Sequence, residues 1–352
     1  MNIGGLKAHE GEKIQGEIPV TGTDLKLPAT IIRGTGKLKG SDKNGSRQAD
    51  GGNSLTFRRT EPGKTVLITA GVHNAEYVGI QAALKLAEEL EPDQIYGNLI
   101  ILPLINRSGF EHRTMSTVFE DGKNINRTFP GSPDGTTAER LCWFMEKELF
   151  PKADYLIDLH SGDGFEELSD YVYCQGIGAP EVCRESENMA RSTKMPYAVR
   201  SESGTGGAYN YAGTLGLPAI LIERGCSGQW SHEEAGQTAE DVRSVLKYLD
   251  VIEGETVPDQ KMRVLEQTHY VDSNHTGCWY PEHYAGNIVE EGDLLGVVKD
   301  YFGNVLEVHR AEERSIILYQ TISLSVLRGS PLIAYSKWEE EENGVDGDES
   351  AK

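Results

Sequence analysis

The chain has 352 residues, 38% hydrophobic and 25% charged, the balance of a soluble globular protein with room for one large domain and a smaller one. Its 55 acidic and 34 basic residues leave a net charge of −21, which argues against nucleic acid and anionic membrane surfaces as partners, because both are bound through Lys and Arg. No apolar run approaches the ~20 residues that span a bilayer, residues 1–10 lack a signal-peptide core, and five cysteines at unpaired spacings suggest no disulfide framework, so the expected location is cytoplasmic.

Two short strands are predicted first, over 13–20 and 27–33. Residues 36–62, rich in Gly, Ser, Asn, Asp and Lys without periodicity, predict a mobile surface loop. From 64 to about 250, apolar runs alternate with helical spacing. Strands are expected at 65–70, 98–104, 154–159, 170–174 and 218–223, and helices at 75–90, 136–150, 180–193 and 232–250. This alternation predicts an α/β domain over 1–254, with a mixed, largely parallel sheet sandwiched by helices. Short alternating apolar runs between Gly, Asp and Asn then predict a small all-β, barrel-like domain over 255–337. Residues 338–352, acidic and almost free of aromatics, predict a disordered, solvated tail, with partner binding as the alternative.

The chemistry-bearing residues sit where the predicted strands end. The run Thr65–Ala70 leads to Gly71 and then to His73 and Glu76, three residues apart at the start of a helix. Ligands of open α/β sheets gather at the carboxyl ends of strands. An imidazole and a carboxylate there are two of the donors that a catalytic Zn²⁺ needs. The strand 154–159 runs into His160, the candidate third donor, and Asp158 shares its face two residues back, placed to orient a histidine from behind. A hydrogen-bonded strand-end histidine is the plainer reading of His160 taken alone. Asn126 and Arg127 offer a planar cation beside an amide, a good receptor for a carboxylate, although for an Asn-Arg pair taken alone a loop with Arg127 in a surface salt bridge is the plainer reading. Glu223 closes another apolar strand, where desolvation should raise its proton affinity and suit it to act as a general base on water.

Taken in order, Gly71-Val-His73-x-x-Glu76, Arg113, Asn126-Arg127-x-Phe-Pro-Gly, Asp158-Leu-His160-Ser-Gly and Glu223 resemble the zinc carboxypeptidase superfamily. Within it they are most similar to the succinylglutamate desuccinylase/aspartoacylase branch of amidohydrolases. The resemblance implies one zinc per chain held by His73, Glu76 and His160, with Glu223 as the base. It implies that Arg113 polarises the scissile carbonyl, while Asn126 and Arg127 hold the carboxylate of a small N-acyl amino acid. Two departures stand out. Asn74-Ala75 replaces the usual Gly-Asp pair, and Arg224 replaces the Leu after the base, which places a cation where it could lower the pKa of Glu223 or touch substrate. Residues 286–298 resemble the hairpin of a biotinyl/lipoyl-type barrel, but no lysine stands where a carrier would need one, which implies a structural or gating role. The rival expectations are a carboxypeptidase acting on peptides or cell-wall fragments, and a non-catalytic binding protein on the same fold. The oligomeric state is left open.

Overall fold

The computed structural model describes residues 1–35, 63–204 and 207–339. The predicted loop over 36–62 and the predicted tail from 340 onward lie outside the described residues. The chain divides into two compact units, Met1–Val264 and Leu265–Lys352.

The first unit opens with a hairpin of two-residue strands, β1 (Asn2–Ile3) and β2 (Leu6–Lys7). Then come β3 (Lys13–Pro19), β4 (Lys26–Arg33), β5 (Thr65–Ala70), β6 (Asn98–Leu102) and β7 (Tyr155–His160). The short β8 (Glu166–Leu168) precedes β9 (Tyr171–Gln175), β10 (Tyr197–Ser201), β11 (Ala219–Glu223) and β12 (Arg263–Leu265). All but the first two and β8 form one sheet in the order β12-β10-β9-β11-β7-β5-β6-β4-β3. Its centre is parallel, with β6, β5, β7 and β11 running alike, while β9 runs against β11 and β4 against β6. The sheet is therefore mixed, and its buried central strands read as continuous apolar runs, as two-sided burial requires.

Helices α1 (Tyr77–Glu89), α4 (Pro180–Arg191) and α6 (His232–Tyr248) share a core with the sheet, in which Leu86, Met189 and Val245 meet Ile68, Ile157, Leu159, Ile220 and Ile222. Strand alternation sends the other set, Asp158, His160 and Glu223, to the opposite face. Three shorter helices complete the unit: α2 (Arg107–His112), α3 (Thr137–Phe144) and α5 (Ala208–Thr214). The helix expected over 136–150 is α-helical only to Phe144 and continues as one wider turn, Met145–Leu149. The strand expected over 98–104 stops at Leu102 because Pro103 has no N–H to offer the ladder. Among the described residues, no helix is long and apolar enough to cross a membrane.

The first unit extends past the expected boundary at 254 because the chain keeps packing on it. Arg191 Nη1 donates to the carbonyls of Asp259 at 3.0 Å and Met262 at 2.7 Å, Met262 joins the core, and β12 lies beside β10.

One glycine fixes how α1 lies. A Cβ at Gly79 would sit 2.5 Å from the carbonyl oxygen of Leu159 in β7, so only glycine lets the helix cross the strand this closely. Gly79→Ala gains about 1 kcal/mol of helix propensity, but the clash is with backbone that has nowhere to move. Overpacking costs about 1–3 kcal/mol, so the net effect is expected to be a lower midpoint in urea unfolding. A raised midpoint would overturn this account of the packing.

The second unit is all β. It contains β13 (Thr268–Asp272), β14 (Gly277–Pro281), β15 (Ile288–Val289), β16 (Leu294–Lys299), β17 (Val305–Arg310), β18 (Ser315–Thr321), β19 (Ser325–Val326) and β20 (Pro331–Lys337). One run pairs as β13-β20-β18-β15 and the other as β17-β16-β14-β19. Trp279, Val298, Ile317, Leu332 and Tyr335 form its own core.

Candidate active site

The chain leaves β5 at Ala70, turns at Gly71 in the left-handed region (φ 61°), and presents His73 before Glu76, the residue just ahead of α1. Because Gly79 holds α1 against β7, Glu76 reaches the end of that strand. Its Oε1 lies 2.6 Å from Nδ1 of His73 and its Oε2 lies 2.6 Å from Nδ1 of His160. The Ser161 N–H donates to the same Oε2 at 3.1 Å.

The outer nitrogens of the two rings decide where the protons are. Nε2 of His73 faces Oδ1 of Asn124 at 3.1 Å, and that oxygen also accepts from the Asn126 N–H at 2.8 Å. A backbone N–H only donates, so the atom is the amide oxygen and His73 donates to it. Nε2 of His160 faces Oδ2 of Asp158 at 3.2 Å, while Oδ1 of Asp158 accepts from the Thr69 hydroxyl at 2.7 Å. With both Nε2 atoms protonated, both Nδ1 atoms aim lone pairs at the Glu76 carboxylate. Four lone-pair atoms at this spacing hold together only around positive charge, either protons or a metal ion. Two imidazoles and a carboxylate are a zinc donor set, and the three ligand atoms lie within 4.8 Å of one another. The site therefore fits a metal. In the proton-filled form, burial works to raise the Glu76 carboxyl, but the charges of His160 and His73 outweigh it and hold it down at about 2. Burial opposes a charge on His160, yet Glu76 and Asp158 push its pKa well above the usual imidazole value.

Glu223 ends β11 directly beside His160 in the parallel register. Burial, and then the negative charge of Glu76, hold its carboxyl well above the ordinary range. Its Oε2 is buried without a hydrogen-bond partner.

The loops around these residues are tied together. Asn74 donates to the Thr114 carbonyl and accepts from Asn106 Nδ2 at 2.8 Å, while the Ala75 N–H donates to the Met115 carbonyl at 3.1 Å. Arg113, in this anchored segment, caps α2 in a left-handed conformation (φ 57°, ψ 37°) with its side chain exposed. Asn126 is buried, and its Oδ1 accepts from the Ala208 N–H at 3.1 Å, which leaves Nδ2 as its free donor group. Arg127 is exposed and donates from Nη1 to the Asn126 carbonyl at 3.3 Å. Among the described residues it forms no ion pair with a carboxylate.

The comparisons with known proteins fit this arrangement. The family model described as the succinylglutamate desuccinylase/aspartoacylase catalytic domain matches residues 62–249, more than half of the chain and all of the residues just placed. The chain belongs to the succinylglutamate desuccinylase/aspartoacylase family. A curated relative, the N-alpha-acetyl-L-2,4-diaminobutyric acid deacetylase of Halomonas elongata, is 28% identical over 286 residues, covering 79% of this chain and 83% of that protein. The product-bound ectoine utilization protein EutE (DoeB) of Ruegeria pomeroyi superimposes with a TM-score of 0.75 at 23% identity, over 93% of this chain and 95% of that one. A succinylglutamate desuccinylase/aspartoacylase structure from Rhodobacter sphaeroides gives a TM-score of 0.75 at 22% identity, over 94% and 96%. At these identities, the two structures establish the shared fold.

Within this family member, one sequence expectation fails. Arg224 does not act on Glu223. Successive residues point to opposite sides of an extended chain, so Arg224 turns toward α6, where Nη1 meets Asp241 at 2.6 Å, and its Nε meets Asp170, just before β9, at 2.8 Å. Glu223 accordingly keeps a raised pKa. Arg224 is buried and Asp241 is fully enclosed. Breaking such a pair costs about 3–5 kcal/mol. Arg224→Met is expected to lose stability of that order in urea unfolding, and Arg224→Met/Asp241→Leu to recover much of it. A double variant no better than the single would refute this.

Sequence reasoning missed Asn124, Asp163 and Glu166. A Cβ at Gly164 would sit 3.0 Å from the end of the Met115 side chain, and the Glu166 carbonyl accepts from the Ser227 N–H at 2.8 Å, which sets this loop between the segments that follow α2 and β11. Burial and then Asp163 push the Glu166 carboxyl up to about 7. Two further acids three residues apart, just past the strand-end His160, were the available signal.

Proposed function

We propose that this chain is a zinc-dependent deacylase that hydrolyses the amide bond of a small N-acyl amino acid, using one zinc per chain. The observation that carries this reading is the convergence of two Nδ1 lone pairs on Glu76 beside Glu223, whose Oε2 is buried without a hydrogen-bond partner. His73, Glu76 and His160 would hold the ion, which in such sites acidifies water and polarises a carbonyl. Glu223, with its raised proton affinity, takes the proton of the attacking water and returns it to the departing amine. Arg113 supports the developing negative charge on the acyl oxygen. Asn126, through its free Nδ2, and Arg127, through its guanidinium fork, bind the amino acid carboxylate.

The family membership and the deacetylase relative support amide hydrolysis of an acylated amino acid over a peptidase activity. The acidic surroundings favour a substrate that also carries an ammonium group, as N-acetyl-2,4-diaminobutyrate does, because Asp163 and Glu166 bring two further carboxyls near Glu76 whose raised proton affinity a cation close by would relieve. The test is a steady-state comparison on zinc-loaded enzyme. N-acetyl-2,4-diaminobutyrate should give a kcat/KM at least about tenfold above that of N-acetylaspartate, a difference of about 1.4 kcal/mol. Turnover of blocked dipeptides but of no N-acyl amino acid would sink the deacylase reading.

A further inference from the structure

Asn124 makes two contacts through a single oxygen. Its Oδ1 accepts from Nε2 of His73 and from the backbone N–H of Asn126, and its carbonyl accepts from the Arg127 N–H at 3.0 Å and the Thr128 hydroxyl at 2.7 Å. One side chain thus grips the back of a ligand imidazole and caps the turn Ile125–Arg127. Asn126 carries the connection onward, since its own Oδ1 holds the start of α5 and a Cβ at Gly207 would sit 2.9 Å from its amide carbon.

We propose that Asn124 is a positioning residue that couples metal affinity at His73 to carboxylate binding at Asn126 and Arg127. The proposal rests on the reading of His73 as a ligand and of the turn as the carboxylate receptor. The physical case has three parts. The amide oxygen forces His73 into the Nε2–H tautomer, so the lone pair on Nδ1 is always presented to the site. It does so without charge, where a carboxylate would add to Glu76, Asp158, Glu166 and Glu223. A cation on Nδ1 also makes the far N–H a stronger donor, which tightens its hold on Oδ1 and, through it, on the Asn126 N–H. His160 lacks this link, because Asp158 behind it bonds only to Thr69 and the ring itself among the described residues.

Outer partners of this kind are worth about 10–100-fold in metal affinity. Zinc affinity is read by chelator competition on the full chain, and KM on the best N-acyl amino acid found. Asn124→Ala should weaken zinc by about 10–100-fold and also raise KM, measured at zinc concentrations that keep the site filled. Arg127→Ala should raise KM alone. Asn124→Asp keeps an acceptor for both donors and, despite the charge it adds, should recover most of the zinc affinity and of KM lost in Asn124→Ala, a rescue that a general folding defect would not show. His160→Ala is the control for the underlying reading: if it retains zinc, the metal assignment itself is wrong. If His160→Ala loses zinc while Asn124→Ala binds it within about twofold of the parent, or if Asn124→Ala moves zinc affinity without moving KM, the coupling is refuted.

Discussion

Glu223→Gln is expected to lower kcat by about 10²–10⁴-fold, the usual contribution of a positioned acid or base, while bound zinc stays at one per chain. The substitution is close to isosteric, and the buried Oε2 has no hydrogen bond for it to break. The fold therefore loses no bond, and the chemistry loses its proton acceptor. Glu223 must be ionised to act as a base, so turnover should rise as pH rises through its pKa. Burial and Glu76 place that limb above the normal carboxylate range. In the Gln variant this limb should disappear from the profile of kcat/KM against pH. Near-normal turnover on a confirmed substrate would end the mechanism even with the metal site intact.

His160→Ala is expected to abolish both metal content and activity. His160 is 2% exposed and supplies one of the three side-chain donors grouped here among the described residues, so its loss leaves two. Removing the ring also strands Asp158, fully buried, with the Thr69 hydroxyl as its remaining side-chain partner, and an unpaired buried carboxylate destabilises the fold strongly. His160→Gln separates the two effects, because its amide can still contact Asp158 while offering a poor zinc ligand. Elemental analysis of folded His160→Gln with undiminished zinc would remove this residue from the site.

How much of this was visible in the sequence differs from residue to residue. The apolar runs of β5, β7 and β11 announce themselves by composition, and the His and Glu residues at their ends follow from the general habit of open sheets. The helix α2 was missed because its six residues carry little apolar pattern, although Asn106, which accepts from the Gly109 N–H at 3.1 Å, is an ordinary cap signal. The direction of Arg224 was legible in principle, since strand alternation separates it from Glu223. Asn124 was not. It meets His73 across 51 positions of sequence, and nothing local to either residue encodes that meeting. Proximity created by folding of the whole unit leaves no periodic trace.

The three-residue strand β12 bears on where this polypeptide can be cut. It covers β10, which would otherwise present an open row of N–H and C=O groups at the margin of the nine-stranded sheet. Uncovered margins of this kind recruit other chains. A fragment ending at residue 254, where the sequence texture changes, would leave Tyr197–Ser201 bare and should self-associate, whereas one carried through to Leu265 brings its own cover.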